Sequence, residues 1–202
     1  MIYKDFEEIM SAPRMQRYLI SCSGNSRKAM MLYRLNLHLS QELFTVISCF
    51  EIALRNAIDR FYAGSFGNDW LRDSILPNGF FSGNNCRTTA SIIQTKLHEI
   101  STAYAHQKLL TKMDFGFWRY LFAQPQFSAG GHALLKAFPA KPKSTPAIQY
   151  NHTFVFNQLK NINDIRNRIA HHEPICFLNG QKQKTLLMQG SITVLFFNYF
   201  NG

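Results

Sequence analysis

The residues in this 202-residue chain whose types and spacing could do chemistry are Arg166-Asn167, followed after three residues by His171-His172. Imidazole is the side chain whose ordinary pKa lies closest to neutrality, so it can give or take a proton at physiological pH. Guanidinium presents a fixed fork of donors that matches a phosphate. Asn167 adds a neutral donor and acceptor able to orient either partner. These are the types needed to cleave RNA without a metal. One group removes the proton from a ribose 2′-hydroxyl, another protonates the leaving 5′-oxygen, and a cation stabilises the charge building on phosphorus.

The spacing constrains how these groups meet. On an ideal helix Arg166 and His171 lie roughly 140° apart, and the residue one turn beyond Arg166 is Ala170, which carries no chemistry. Pro174 disfavours helical geometry at Glu173, so a helix here is expected to fray near His171 or His172. A loosened last turn would bring His171 back toward Arg166. Alternatively, two copies of the helix facing each other would supply both arginines and all the histidines to one cleft. The plainer reading is that Arg, Asn and His near a helix C-terminus serve the last carbonyls and the helix dipole.

Glu51, Arg55 and Asn56 share one predicted helix. Glu51 and Arg55 stand at i, i+4, which is an intrahelical pair in the plain reading and a polar cluster supporting the Arg166 site in the sharper one. His98, His106, His132 and His152 have no ligand-like spacing, and the neighbours His171-His172-Glu173 rarely point the same way, so no metal site and no cofactor is expected. Cys22, Cys49, Cys86 and Cys176 are far apart and form no Cys-x-x-Cys pair, which argues against zinc fingers and redox pairs. Ser21 to Ser26 and Ser82 to Asn85 lack the phosphate-loop Lys and the dinucleotide glycine spacing, and read as turns.

The elements that must position these residues read as helices. Asp5 to Met10 is a short amphipathic start. A helix follows from about Pro13 to Ile20, then a Ser23-Gly24-Asn25 turn. Ser26 caps a helix through Leu39, and Ser40 caps the next, whose Val46, Ile47, Phe50, Leu54, Ala57, Ile58 and Phe61 keep helical spacing to a stop near Ala63-Gly64. Phe66 to Ser91 is a turn-rich connection. Helices are expected at Thr89 to Lys108, Phe115 to Phe122 and Thr153 to His171. Gln124 to Pro146, with four prolines and two adjacent glycines, reads as a flexible loop. Asn179-Gly180 is a turn, and Thr185 to Phe200 is helix or strand. The expected architecture is all-α, as a single domain over residues 1–202.

Composition bounds the partners. A hydrophobic share of 46% supports a packed core, and 18 Phe imply an aromatic one. The net charge of +10 comes from 22 Lys and Arg against 12 Asp and Glu, and its field favours polyanions such as RNA. Lys136, Lys141 and Lys143 lie in the Pro-rich loop, a basic surface in the plain reading and a partner contact in the sharper one. Met1 to Met10 has no signal-like apolar core, so a cytoplasmic protein with free thiols is expected. Ile192 to Phe200, the most apolar stretch by this reading, is too short for a bilayer, so no membrane contact is expected.

The string from Arg166 to Ile175 resembles the signature of Abi-like (abortive infection) proteins of the HEPN superfamily, whose pattern is Arg, four to six residues, then His, with a polar residue after the Arg. Glu51 to Ile58, Tyr33-Arg34-Leu35-Asn36, Asp69-Trp70-Leu71 and Phe115-Gly116-Phe117-Trp118 are supporting elements, and together they cover most of the chain. The resemblance implies a helical bundle that forms a homodimer and a metal-independent endoribonuclease of a phage-defence or toxin type. It implies Arg166 and His171 as the catalytic pair, Asn167 as their positioner, and His172 as the adjacent candidate. RNA is the implied substrate, and an antitoxin or an activator the further partner. The alternative is a non-catalytic HEPN module that binds RNA or a protein partner. Members often run on with a further helical segment where this sequence stops at Gly202, soon after Leu195 to Phe200.

Overall fold

The computed structural model describes residues 2–177. The segments Asn179-Gly180 and Thr185 to Phe200 therefore lie outside the described residues. Among the described residues there are nine α-helices, three short 3-10 turns and no strand, so the fold is all-α. The helices are α1 (Tyr3–Met10), α2 (Ala12–Ser21), α3 (Ser26–Phe66), α4 (Trp70–Asp73), α5 (Arg87–Ile100), α6 (His106–Lys112), α7 (Phe115–Tyr120), α8 (Gln124–Ala129) and α9 (His152–Ala170). The chain divides into two compact units. Among the described residues the first takes those up to Ile47 and then from Ile165 onward, and the second takes Ser48–Asp164.

The principal difference from the sequence reading is α3, a single helix of 41 residues where two were expected. Asn25 rather than Ser26 caps it, its Oδ1 accepting from the Lys28 N–H at 3.0 Å. Ser40, expected to cap a second helix, instead turns its hydroxyl back onto the Asn36 carbonyl at 2.8 Å, so the backbone runs on without a break. The continuous helix holds an 18-residue stretch of mean hydropathy 1.2, of which 17% is buried; by length and composition it could cross a membrane.

The first unit packs around Phe6 of α1, Met15 and Tyr18 of α2, and Ala29 and Tyr33 of α3. Tyr18 stands edge-on to Tyr33 at 5.1 Å and to Phe177 at 4.8 Å, so the segment after α9 is part of this core. Cys176 joins the same core, and burial pushes its thiol up from the ordinary range.

The second unit is built on Ile58, Tyr62, Trp70, Phe81, Ile93, Trp118, Leu121 and Phe122, all sealed from solvent. The expected Thr89 to Lys108 helix is divided. It ends at Ile100, where Ser101 takes a left-handed φ of 53°, and α6 begins at His106. The Gln124 to Pro146 segment, expected as loop, contains α8 and a 3-10 turn at Leu134–Ala137. Pro125 is tolerated because it sits in the first helical turn. Gln126 and Phe127 are buried, and the Gln126 amide donates to Thr89 Oγ1 at 3.0 Å, pinning α8 onto α5.

Candidate functional site

α9 begins where Asn151 Oδ1 accepts from the Phe154 N–H at 2.9 Å and ends at Ala170. Its end is ordered, not frayed. The His172 N–H bonds the Ile169 carbonyl at 3.0 Å and the Glu173 N–H bonds the Arg168 carbonyl at 2.8 Å, the paired bonds of a Schellman motif. His172 occupies the left-handed position of that motif, with φ 55°, where glycine is usual. The expected loosening of the last turn toward Arg166 does not occur, because these bonds close the helix before Pro174 can open it.

Three side chains hold the backbone beyond the helix. Asn36, buried on α3, accepts with its Oδ1 from the N–H of Ile175 at 2.9 Å and of Cys176 at 3.0 Å. Arg168 donates through Nη2 to the Pro174 carbonyl and, at 3.1 Å, to the Phe177 carbonyl, while its Nε lies 3.4 Å from Glu173. Arg14 of α2 donates to the His172 carbonyl at 2.7 Å. All belong to the first unit.

Against that scaffold the sequence-nominated residues fall into two sets. Arg166 and Asn167 are half-buried, and the Arg166 Nη1 reaches Asn167 Oδ1 only at a long 3.5 Å. Arg166 forms no ion pair among the described residues, so its guanidinium is not already neutralised as that of Arg168 is by Glu173. His171 and His172 are exposed, and among the described residues neither ring has a hydrogen-bond partner. Cation and imidazoles thus sit within six residues at one helix end, with no direct bond between them. Glu51, Arg55 and Asn56 belong to the second unit. There Arg55, expected opposite Glu51, donates from Nε to Asn56 Oδ1 at 3.3 Å.

Arg14, Asn36 and Arg168 were missed as positioning residues. Asn36 and Arg168 lie inside the Tyr33 to Asn36 and Arg166 to Ile175 strings, but nothing local marks their roles. Arg14 meets His172 across 158 residues of sequence and leaves no signal at all. No group of three or more metal-ligating side chains occurs among the described residues.

Electrostatically, this helix end is cationic. From Ala12 to Gln41 the chain carries Arg14, Arg17, Arg27, Lys28 and Arg34 and no acid. Arg17 lies 5.2 Å over the Phe177 ring, which holds a second cation beside the post-helix segment. Such a surface can hold a polyanion, and exposed imidazoles beside it can exchange protons with one.

Among known families, the model described as Abi-like protein matches residues 4–176. No curated protein and no solved structure matches the chain.

Proposed function

The chain belongs to the Abi-like protein family, a membership that suggests a part in abortive infection, and from it we propose a metal-independent endoribonuclease of the HEPN type. The observation that supports this reading most is the ordered end of α9. It presents two exposed imidazoles on a backbone fixed by Arg14, Asn36 and Arg168, with the unneutralised Arg166 one to two turns earlier.

In this reading one histidine takes the proton of a ribose 2′-hydroxyl, and the 2′-oxygen attacks the adjacent phosphorus. Arg166 stabilises the charge on the phosphorane oxygens. A second imidazole, from the same end or from a second copy, protonates the departing 5′-oxygen. The products are a 2′,3′-cyclic phosphate and a 5′-hydroxyl. A homodimer belongs to the reading, and the exposed Met31, Leu35, Leu37 and Phe44 of α3 are the apolar side chains a second copy would cover. An antitoxin or activator and a cytoplasmic setting belong to it as well.

The test is cleavage of a labelled RNA in EDTA, with analysis of the product ends. Wild type is expected to leave cyclic-phosphate ends. Arg166→Ala is expected to cut about 10²–10³-fold more slowly, the usual cost of removing one transition-state donor. Absence of cleavage by wild type, alone and with extracts of phage-infected cells, sinks the catalytic reading. It leaves the non-catalytic module, which the lack, among the described residues, of any group orienting either imidazole favours.

A further inference from the structure

Arg119, in α7, is only 9% exposed, yet it has no acid. Its Nε is buried without a hydrogen-bond partner, and no carboxylate among the described residues pairs with it. Residues 178–202 contain no Asp or Glu, so no side-chain carboxylate of that segment is its counter-ion either. Two aromatic rings take that place. The guanidinium carbon lies 4.6 Å from the Tyr120 ring centre and 4.8 Å from that of Phe156, and the two rings meet edge-on at 5.7 Å. All three residues belong to the second unit.

Ring quadrupoles recover part of the solvation that a buried cation loses, but they supply no acceptor for its donors. Other arginines here are better satisfied. Arg72 pairs with Asp69 and Asp73, and Arg168 with two carbonyls and Glu173. The Arg119 Nε is buried and unbonded, and its terminal nitrogens make no hydrogen bond among the described residues. Tyr120, beside it, is 49% exposed although it is a large ring. A cation lacking an anion, next to an exposed aromatic face, is the pairing that single-stranded nucleic acid uses: phosphate on the cation, base on the ring.

We propose that Arg119, Tyr120 and Phe156 form a contact for single-stranded RNA, with Arg119 holding one phosphodiester and Tyr120 stacking on the neighbouring base. This rests on the RNA reading above. The net charge of +10 favours a nucleic-acid phosphate over the carboxylate of a protein partner, because it attracts the whole polyanion and not one group. Phe156 brings its ring to the guanidinium from α9.

The experiment uses the full chain carrying Arg166→Ala, His171→Ala and His172→Ala, so that RNA survives, and a fluorescein-labelled oligouridylate read by anisotropy across a salt series. Arg119→Met in that background is expected to weaken binding about tenfold and to lower the salt slope by roughly 0.7, the value of one single-strand phosphate. Tyr120→Ala is expected to weaken binding about fivefold at unchanged slope, and Tyr120→Phe to keep it. Circular dichroism checks the fold; Tyr120→Ala, a surface change, decides the matter should Arg119→Met not fold. Parent-like affinity and slope in the variants overturn this proposal alone. A parent that binds no RNA overturns this proposal, and the RNA reading falls with it where wild type neither binds nor cleaves the oligonucleotide.

Discussion

The two units hold histidine in opposite ways. In the second, His106 Nε2 lies 2.8 Å from Asp59 Oδ1, and the Trp70 Nε1–H donates to the same oxygen at 2.8 Å. The His106 side chain is 12% exposed and stands edge-on to Trp70 at 6.2 Å. In the first unit His171 and His172 are exposed and their rings have no hydrogen-bond partner among the described residues, while the backbone that carries them is tied down on several sides. An acid that fixes an imidazole ring by bonding it inside a core also removes it from substrate. A ring held only through its own backbone keeps both nitrogens for a ligand. On the ribonuclease reading proposed above, an acid–histidine pair, the arrangement usually sought as a catalytic sign, is therefore the structural one.

The contrast breaks most visibly at Asp59. Asp59→Ala strands two donors that are mostly buried, Trp70 Nε1 and His106 Nε2, and is expected to cost about 3 kcal/mol of unfolding free energy. Denaturant melts would show it as a lower midpoint at similar slope. RNA cleavage per folded molecule should stay as in wild type. A large loss of cleavage in folded Asp59→Ala protein would mean that the buried pair, not the α9 end, carries the chemistry.

Asn36→Ala sharpens the comparison from the other side. It removes one acceptor shared by two backbone N–H groups, and is expected to cost about 2 kcal/mol and to release the segment from Pro174 to Phe177. Unlike Asp59→Ala, it should lower cleavage beyond the folded fraction, because the histidine backbone loses its support. Faster hydrogen exchange at the Ile175 and Cys176 amides would report the release. Equal protection in mutant and wild type would show that Arg14 and Arg168 suffice.

What the sequence made legible follows the range of the interactions. α9 was readable to within a residue at each end, because its apolar spacing and Pro174, which bounds it, are local. The Arg166 to His172 string stands out as a candidate for the same reason, since its residue types and spacing lie within one short stretch. The continuity of α3 was not, because a serine is a good cap and an equally good back-bonder, and only the Asn36 carbonyl decided which. Gln124 to Pro146 misled through its prolines; burial of Phe127 and Leu134 outweighed them. The Asn36 anchor spans 139 residues and the Arg14 anchor 158, and no local pattern foretells such pairs.

The smallest expected effect separates the two histidines. His172 sits at φ 55°, a left-handed conformation that costs a non-glycine residue about 1 kcal/mol, whereas His171 does not. His172→Gly should relieve that strain and raise stability by about 0.5 kcal/mol, the gain being trimmed by the extra freedom glycine brings to the unfolded chain. The same change deletes one imidazole and leaves the motif intact, because the Arg14 bond is made to the backbone carbonyl of residue 172. A protein that is slightly more stable and cleaves normally assigns the proton transfer to His171. One that is more stable and inactive assigns it to His172, and shows that the strained position is kept for what its ring does. A fall in stability would instead mean that the imidazole itself supports the helix end, and that the freedom ascribed to its ring is wrong.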